Sequence, residues 1–137
     1  MSERNFWNYV RKSLPDLKMY RVENRVAEGM PDVHYLRDGS SGWIELKYLA
    51  DWPEKKLSIG LRTGQGIWLD DYAKNNGQCW ILLRVGRDFI GLIHGEHAQR
   101  LVEKVDVPEF LDCLTYKKFG QMSAADWEEL ADIITDQ

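Results

Sequence analysis

The sequence has only two cysteines, Cys79 and Cys113. Both lie in apolar surroundings without metal-ligand spacing, so they predict buried thiols in a reducing compartment and exclude a disulfide framework. The three histidines, His34, His94 and His97, show no metal spacing either. No apolar run approaches the length of a membrane span. The opening Met1-Ser2-Glu3-Arg4-Asn5 has no signal-peptide pattern, and a cytoplasmic protein is expected. There is no internal repeat and no low-complexity segment. An excess of base is missing too: the formal net charge is -4, which argues against a strong non-specific nucleic-acid binder. That deficit is local. Residues 119–137 hold five acids and no base, which leaves 18 bases against 17 acids in the first 118 residues. Contact with phosphates through a local basic patch stays open.

What is present is an ordinary globular composition, 44% hydrophobic and 29% charged over 137 residues, enough for one domain with a proper core. The expected layout is a core over about residues 1–95 and a helical tail over about 96–137. Phe6, Trp7, Tyr9, Val10 and Leu14 recur at helical spacing after Ser2, a candidate cap, and Pro15-Asp16 ends that helix. Lys18 to Val26 has strand character. Arg62-Thr63-Gly64-Gln65 leads into a helix carrying Ile67, Trp68, Leu69 and Tyr72, with Thr63 as candidate cap and Asn75-Asn76-Gly77 as its stop. Gln78 to Val85 is the most apolar stretch and predicts a strand buried on both faces, hairpinned through Gly86-Arg87-Asp88 to Phe89–Ile93. Short helices are expected over Glu96–Lys104 and Pro108–Leu114. A last amphipathic helix follows Ser123-Ala124-Ala125-Asp126, a capping-box pattern.

The chemistry concentrates in one hairpin. Trp43 to Tyr48 is a short aromatic and branched strand, and Asp32 to Leu36 is another, joined through the turn-rich run Arg37-Asp38-Gly39-Ser40-Ser41-Gly42. Alternation puts Ile44 and Leu46 on one face and Glu45 and Lys47 on the other. Folding back at the turn brings Asp32 to about one rung from Glu45 and Lys47. Two carboxylates converging at a sheet end can hold a hard divalent cation, and a lysine beside them can orient a water or stabilise charge on a phosphate. The plain alternative is a cross-strand ion pair, a commonplace surface feature. Gln65, in the first turn of its helix, can donate and accept and so could position a water or a phosphate; an ordinary helix-start glutamine is the competing reading.

The ordered set Arg21-Val22-Glu23-Asn24, Gly29-Met30-Pro31-Asp32-Val33 and Gly42-Trp43-Ile44-Glu45-Leu46-Lys47, with Gln65 following, resembles the signature of the PD-(D/E)xK nuclease superfamily. Within it, the set is most similar to the small phage-encoded VRR-NUC nucleases, over about residues 20 to 93. The resemblance implies an α/β, restriction-endonuclease-like mixed sheet of four or five strands flanked by helices. It implies Mg²⁺, with Mn²⁺ substituting, held by Asp32, Glu45 and the backbone carbonyl of Leu46, with Lys47 orienting the attacking water. Glu23 is a candidate extra ligand, favoured over Glu3, while a salt bridge to Arg21 or Arg25 competes for it. Lys55, Lys56, Arg62 and Arg84 are candidate DNA contacts. Branched DNA such as a Holliday junction is the implied substrate, a homodimer the implied assembly, and a bacterial or infected-host cytoplasm the implied location. The dimer is expected to use the tail, Pro108 to Ile134, with Trp52, Trp68, Trp127, Tyr116, Phe119 and Met122 as candidate interface side chains; ordinary core is the competing reading for each. Two other classes stay open: a non-catalytic DNA-binding or assembly protein on the same fold, and an α/β interaction module whose acids form a structural ion-pair cluster.

Overall fold

The computed structural model describes residues 2–23 and 28–136. Helix α1 (Glu3–Ser13) starts at Ser2, whose hydroxyl accepts the Asn5 N–H at 3.3 Å, and buries Phe6 and Val10 one turn apart. Strand β1 (Lys18–Arg21) is shorter than the sequence pattern suggests, and residues 24–26 of the expected strand lie outside the described residues. Strands β2 (Val33–Arg37) and β3 (Ser40–Leu49) form the expected hairpin. Its turn, Asp38-Gly39, has positive φ at both residues (49° and 82°), the conformation that matches the right-handed twist of paired strands. Strand β3 therefore begins three residues before Trp43, in the run read as turn.

There follow β4 (Lys56–Leu57), α2 (Thr63–Lys74), β5 (Cys79–Val85), β6 (Phe89–His94), a 3₁₀ segment (Gly95–Leu101), β7 (Val105–Asp106), α3 (Val107–Asp112), β8 (Leu114–Phe119) and α4 (Ala124–Thr135). The main sheet has the order β1-β2-β3-β5-β6-β8; β4 and β7 pair apart from it. Among the described residues only β3 and β5 run parallel, which requires a crossover, and α2 supplies it. The α/β mixed sheet flanked by helices is as expected, with six strands among the described residues rather than four or five. The additional strand is β8, which begins at Leu114, the last residue of the helix expected over Pro108–Leu114, and runs through the stretch that the sequence pattern leaves unassigned before the final helix. Its burial alternates residue by residue, the mark of a half-covered edge strand held by pairing with β6.

Each face of the sheet is covered by helices. On one, α1 and α4 pack Phe6, Val10, Trp127, Leu130 and Ile134 onto Ile44, Leu46 and Leu82. On the other, Leu69, Phe110 and Leu101 from α2, α3 and the 3₁₀ segment meet Ile81, Leu83, Phe89 and Ile93. Helix α4 thus spends its apolar face on its own subunit, and Trp127 meets Tyr9 edge-on at 5.5 Å. Tyr35 locks this arrangement: its buried hydroxyl donates to the Ile134 carbonyl at 2.6 Å and accepts from Trp80 Nε1 at 3.1 Å. The buried face of α4 is consequently not available to a second subunit, whereas Phe119 of the same tail is 57% exposed and Tyr116 and Met122 are half-buried. Cys79 and Cys113 are both free and buried, as predicted.

Candidate active site

Strand alternation and one helix start assemble the site. Ile44 and Leu46 point into the α1/α4 layer, so Glu45 and Lys47 point to the opposite face, where α2 lies. Asp32 directly precedes β2, whose pairing reaches as far as Val33 opposite Ile44. One step further, its Oδ2 accepts the Leu46 N–H at 3.1 Å. A side chain has taken over the position of a ladder hydrogen bond. The N–H and C=O of one strand residue point the same way, so the Leu46 carbonyl faces the side from which Asp32 approaches.

Gly29 explains how the chain reaches that point. It has φ +82°, and a Cβ there would run into the Gly64 carbonyl in the first turn of α2. Conformation and close approach both require glycine, and the contact seats the segment before Asp32 against the helix that carries Gln65.

Glu45, Lys47 and Gln65 are buried, at 2%, 8% and 4% exposure, and bonded to one another. Gln65 Nε2 donates to Glu45 Oε2 at 2.9 Å. Lys47 Nζ lies 3.3 Å from the same carboxylate oxygen and donates to Gln65 Oε1 at 3.3 Å and to the Gly60 carbonyl at 3.2 Å. Gln65 Oε1 also accepts the Arg62 N–H at 3.0 Å, and these donors set the orientation of the amide. The helix N-cap is Arg62, so Thr63 is its first residue rather than its cap. From behind, Gln99 Nε2 bonds Asp70 Oδ2 at 2.6 Å, and Gly66 lets Val102 approach α2 closely. The Asp70 carboxyl is held below its ordinary range, first by its hydrogen bond from Lys74.

The structure thus brings Asp32, Glu45, Leu46, Lys47 and Gln65 together. Among the described residues no group of three or more His, Cys, Asp or Glu side chains gathers as a metal site. The available donors are two carboxylates and a backbone carbonyl, all oxygen, which fits Mg²⁺, an ion usually held by one or two carboxylates with waters and substrate phosphate completing its shell.

The fold is shared with a Holliday junction resolvase. That protein is Hjc from the hyperthermophilic archaeon Archaeoglobus fulgidus, matched with a TM-score of 0.55 at 16% identity, over 93% of this chain and 96% of the other. The sequence expectation of a restriction-endonuclease-like sheet accordingly holds. No family model and no curated protein sequence matches the chain.

The remaining candidates are scattered. Glu23 is exposed, one residue beyond Val22, whose N–H reaches the Asp32 carbonyl at 2.7 Å; Arg25 lies outside the described residues. Glu3 is exposed at the start of α1, the helix on the opposite face. Arg62 is exposed beside Gln65, and Lys55 is exposed. Lys56 faces Asp106 at 3.6 Å. Arg84 is buried on the α1 side of the sheet, its guanidinium 4.5 Å from the centre of the Tyr9 ring. Sequence reasoning missed the Gly60 carbonyl and the Arg62 N–H. Both are backbone groups that every residue type carries, so no residue pattern signals them.

Proposed function

We propose that this protein is a divalent-metal-dependent deoxyribonuclease of the PD-(D/E)xK class, VRR-NUC type, that cuts branched DNA such as Holliday junctions in the cytoplasm. The observation that carries this reading is the convergence of Asp32, Glu45, Lys47 and Gln65 on one face of a sheet whose fold is that of a Holliday junction resolvase. Asp32, Glu45 and the Leu46 carbonyl would hold Mg²⁺ or Mn²⁺, which when bound polarises the phosphodiester and makes its water more acidic. Lys47 orients the attacking water and places positive charge where the phosphate becomes more negative. Gln65 holds Glu45 and Lys47 in register. Arg62, at the rim, is the basic side chain nearest this group along α2, and Lys55 and Lys56 are further candidates for phosphate contact. Glu23 remains the candidate for an extra ligand.

A junction has two-fold character, and we assign a C2 dimer to supply two sites. With the apolar face of α4 committed to its own core, the surface we assign is the outer side of α2. Ile67 is 54% exposed there, beside half-buried Trp68, which stacks on Tyr72 at 4.8 Å and meets Trp43 edge-on at 5.9 Å. Light scattering should report about twice the chain mass, and Ile67→Glu should return it to a monomer.

The closed Glu45–Lys47–Gln65 network favours one other reading, a structural polar cluster in an interaction module. Incubation of pure protein with Mg²⁺ or Mn²⁺ and a panel of linear, flapped and four-way DNA separates the two. Metal-dependent cutting of four-way DNA supports the nuclease, and intact DNA throughout, with no metal-induced stabilisation, supports the cluster.

A further inference from the structure

We infer that Gly60 is a positioning residue for Lys47, and that its left-handed backbone is the reason a glycine stands there. The inference rests on the proposed role of Lys47 in cleavage. An ammonium has three hydrogens. Around Lys47 Nζ stand three oxygens: Glu45 Oε2 at 3.3 Å, Gln65 Oε1 at 3.3 Å and the Gly60 carbonyl at 3.2 Å. The first two belong to side chains. The third is main chain and is fixed by the path of the segment between β4 and α2. That path is anchored on both sides of Gly60, because Ile59 and Leu61 are buried in the α2 layer at 3% and 4% exposure.

Gly60 itself is exposed, with φ +76°, and a Cβ built on it meets nothing within 4 Å. Space therefore does not demand glycine, but conformation does. Rotation about φ swings the residue's own carbonyl. An L-residue relaxing to negative φ would turn that oxygen away from Lys47 while Ile59 and Leu61 held the flanks. Gly39 is a built-in control. It has φ +82° and equally open space, but lies in the β2–β3 turn, at the end of the hairpin opposite Val33 and Ile44.

The test is pulsed acetylation with acetic anhydride, read at Lys47 by mass spectrometry, with exposed Lys55 as the internal reference. In the unaltered protein Lys47 should react far more slowly than Lys55; equal rates would mean that no such cage forms and would overturn the inference without any variant. A left-handed conformation is unfavourable by about 1–2 kcal/mol for an L-residue, so Gly60→Ala should raise the Lys47 rate about tenfold. Gly60→Asn, which tolerates that conformation, should stay within about twofold of the unaltered protein, as should Gly39→Ala. On a DNA substrate, Gly60→Ala should lower kcat about tenfold through misplacement of Lys47, leave KM unchanged, and be rescued by Gly60→Asn. A Lys47 rate in Gly60→Ala equal to that in Gly39→Ala, or failure of Gly60→Asn to rescue it, overturns the inference. Should the unaltered protein cut no DNA, the nuclease reading falls, and the acetylation rates still decide the role of Gly60.

Discussion

Replacing Glu45 and Lys47 singly and together distinguishes a site built to bind a cation from one built only as an ion pair. Their charged atoms are 3.3 Å apart, with side-chain exposures of 3% and 11%. At an effective dielectric of about 20 the direct attraction is roughly 5 kcal/mol, largely offset by the desolvation of both charges. Lys47→Met keeps the volume and leaves Glu45 with its Gln65 bond. Glu45→Gln keeps the shape and leaves an unpaired ammonium. Each should destabilise by about 3 kcal/mol, the usual effect of stranding one buried charge. The double variant strands neither and should lose about as much as one single change, a coupling of roughly 2–3 kcal/mol. Urea unfolding measures all four proteins. Additivity to within about 0.5 kcal/mol would refute the buried-pair geometry. Metal then adds the functional dimension. At about 100 times its dissociation constant, Mg²⁺ should stabilise the unaltered protein by about 2.7 kcal/mol. Lys47→Met should keep that gain, because lysine is no ligand, and Glu45→Gln should lose it. Loss in both, or in neither, would sink the metal assignment while leaving the ion pair standing.

Asp32→Asn, Glu45→Gln and Lys47→Ala should each reduce DNA cleavage by about 100-fold or more, with Gln65→Ala intermediate, in a single-turnover assay. Glu23→Gln should weaken metal affinity more than Glu3→Gln; the reverse order moves the extra ligand to α1. Burial pushes the Cys79 thiol up to about 12, so neither Cys79 nor Cys113 should react with a thiol reagent at pH 8 until urea unfolds the chain. Asp126 is held below its usual 3.8, first by the Ser123 backbone N–H. Its stabilisation of the α4 start is therefore complete above that value and lost as pH falls through the lower folded value. Asp126→Asn should flatten the stability profile below about pH 4 in acid titration followed by circular dichroism. Deleting residues 120–137 should unfold the protein rather than merely split a dimer, because Trp127, Leu130 and Ile134 each contribute about 1.5–3 kcal/mol of burial.

The sequence alone determined the elements whose signals are local. The first helix follows from the Ser2 cap and the 3.6-residue recurrence of Phe6, Val10 and Leu14. The hairpin follows from the turn-rich run 37–42 between two strands, although the turn itself narrows to Asp38-Gly39, and the fully buried β5 from its unbroken apolar run. Because a strand alternates strictly, the separation of Ile44 and Leu46 from Glu45 and Lys47 was also legible, and with it the face of the site. Tertiary structure decided what depends on partners distant in sequence. Strand β8 exists because β6 offers an edge to pair with, which no local propensity encodes. One face of α4 is core because Tyr35, Trp80 and Ile134 meet across almost a hundred residues. Which face the candidate contact Arg84 takes was decided by the parity of β5, which turns it toward Tyr9, on the side opposite Glu45. The fine geometry of the site also depends on two backbone groups brought in by packing, the Gly60 carbonyl that meets Lys47 and the Arg62 N–H that meets Gln65. Every residue carries those groups, so only the folded path of the chain selects which of them act.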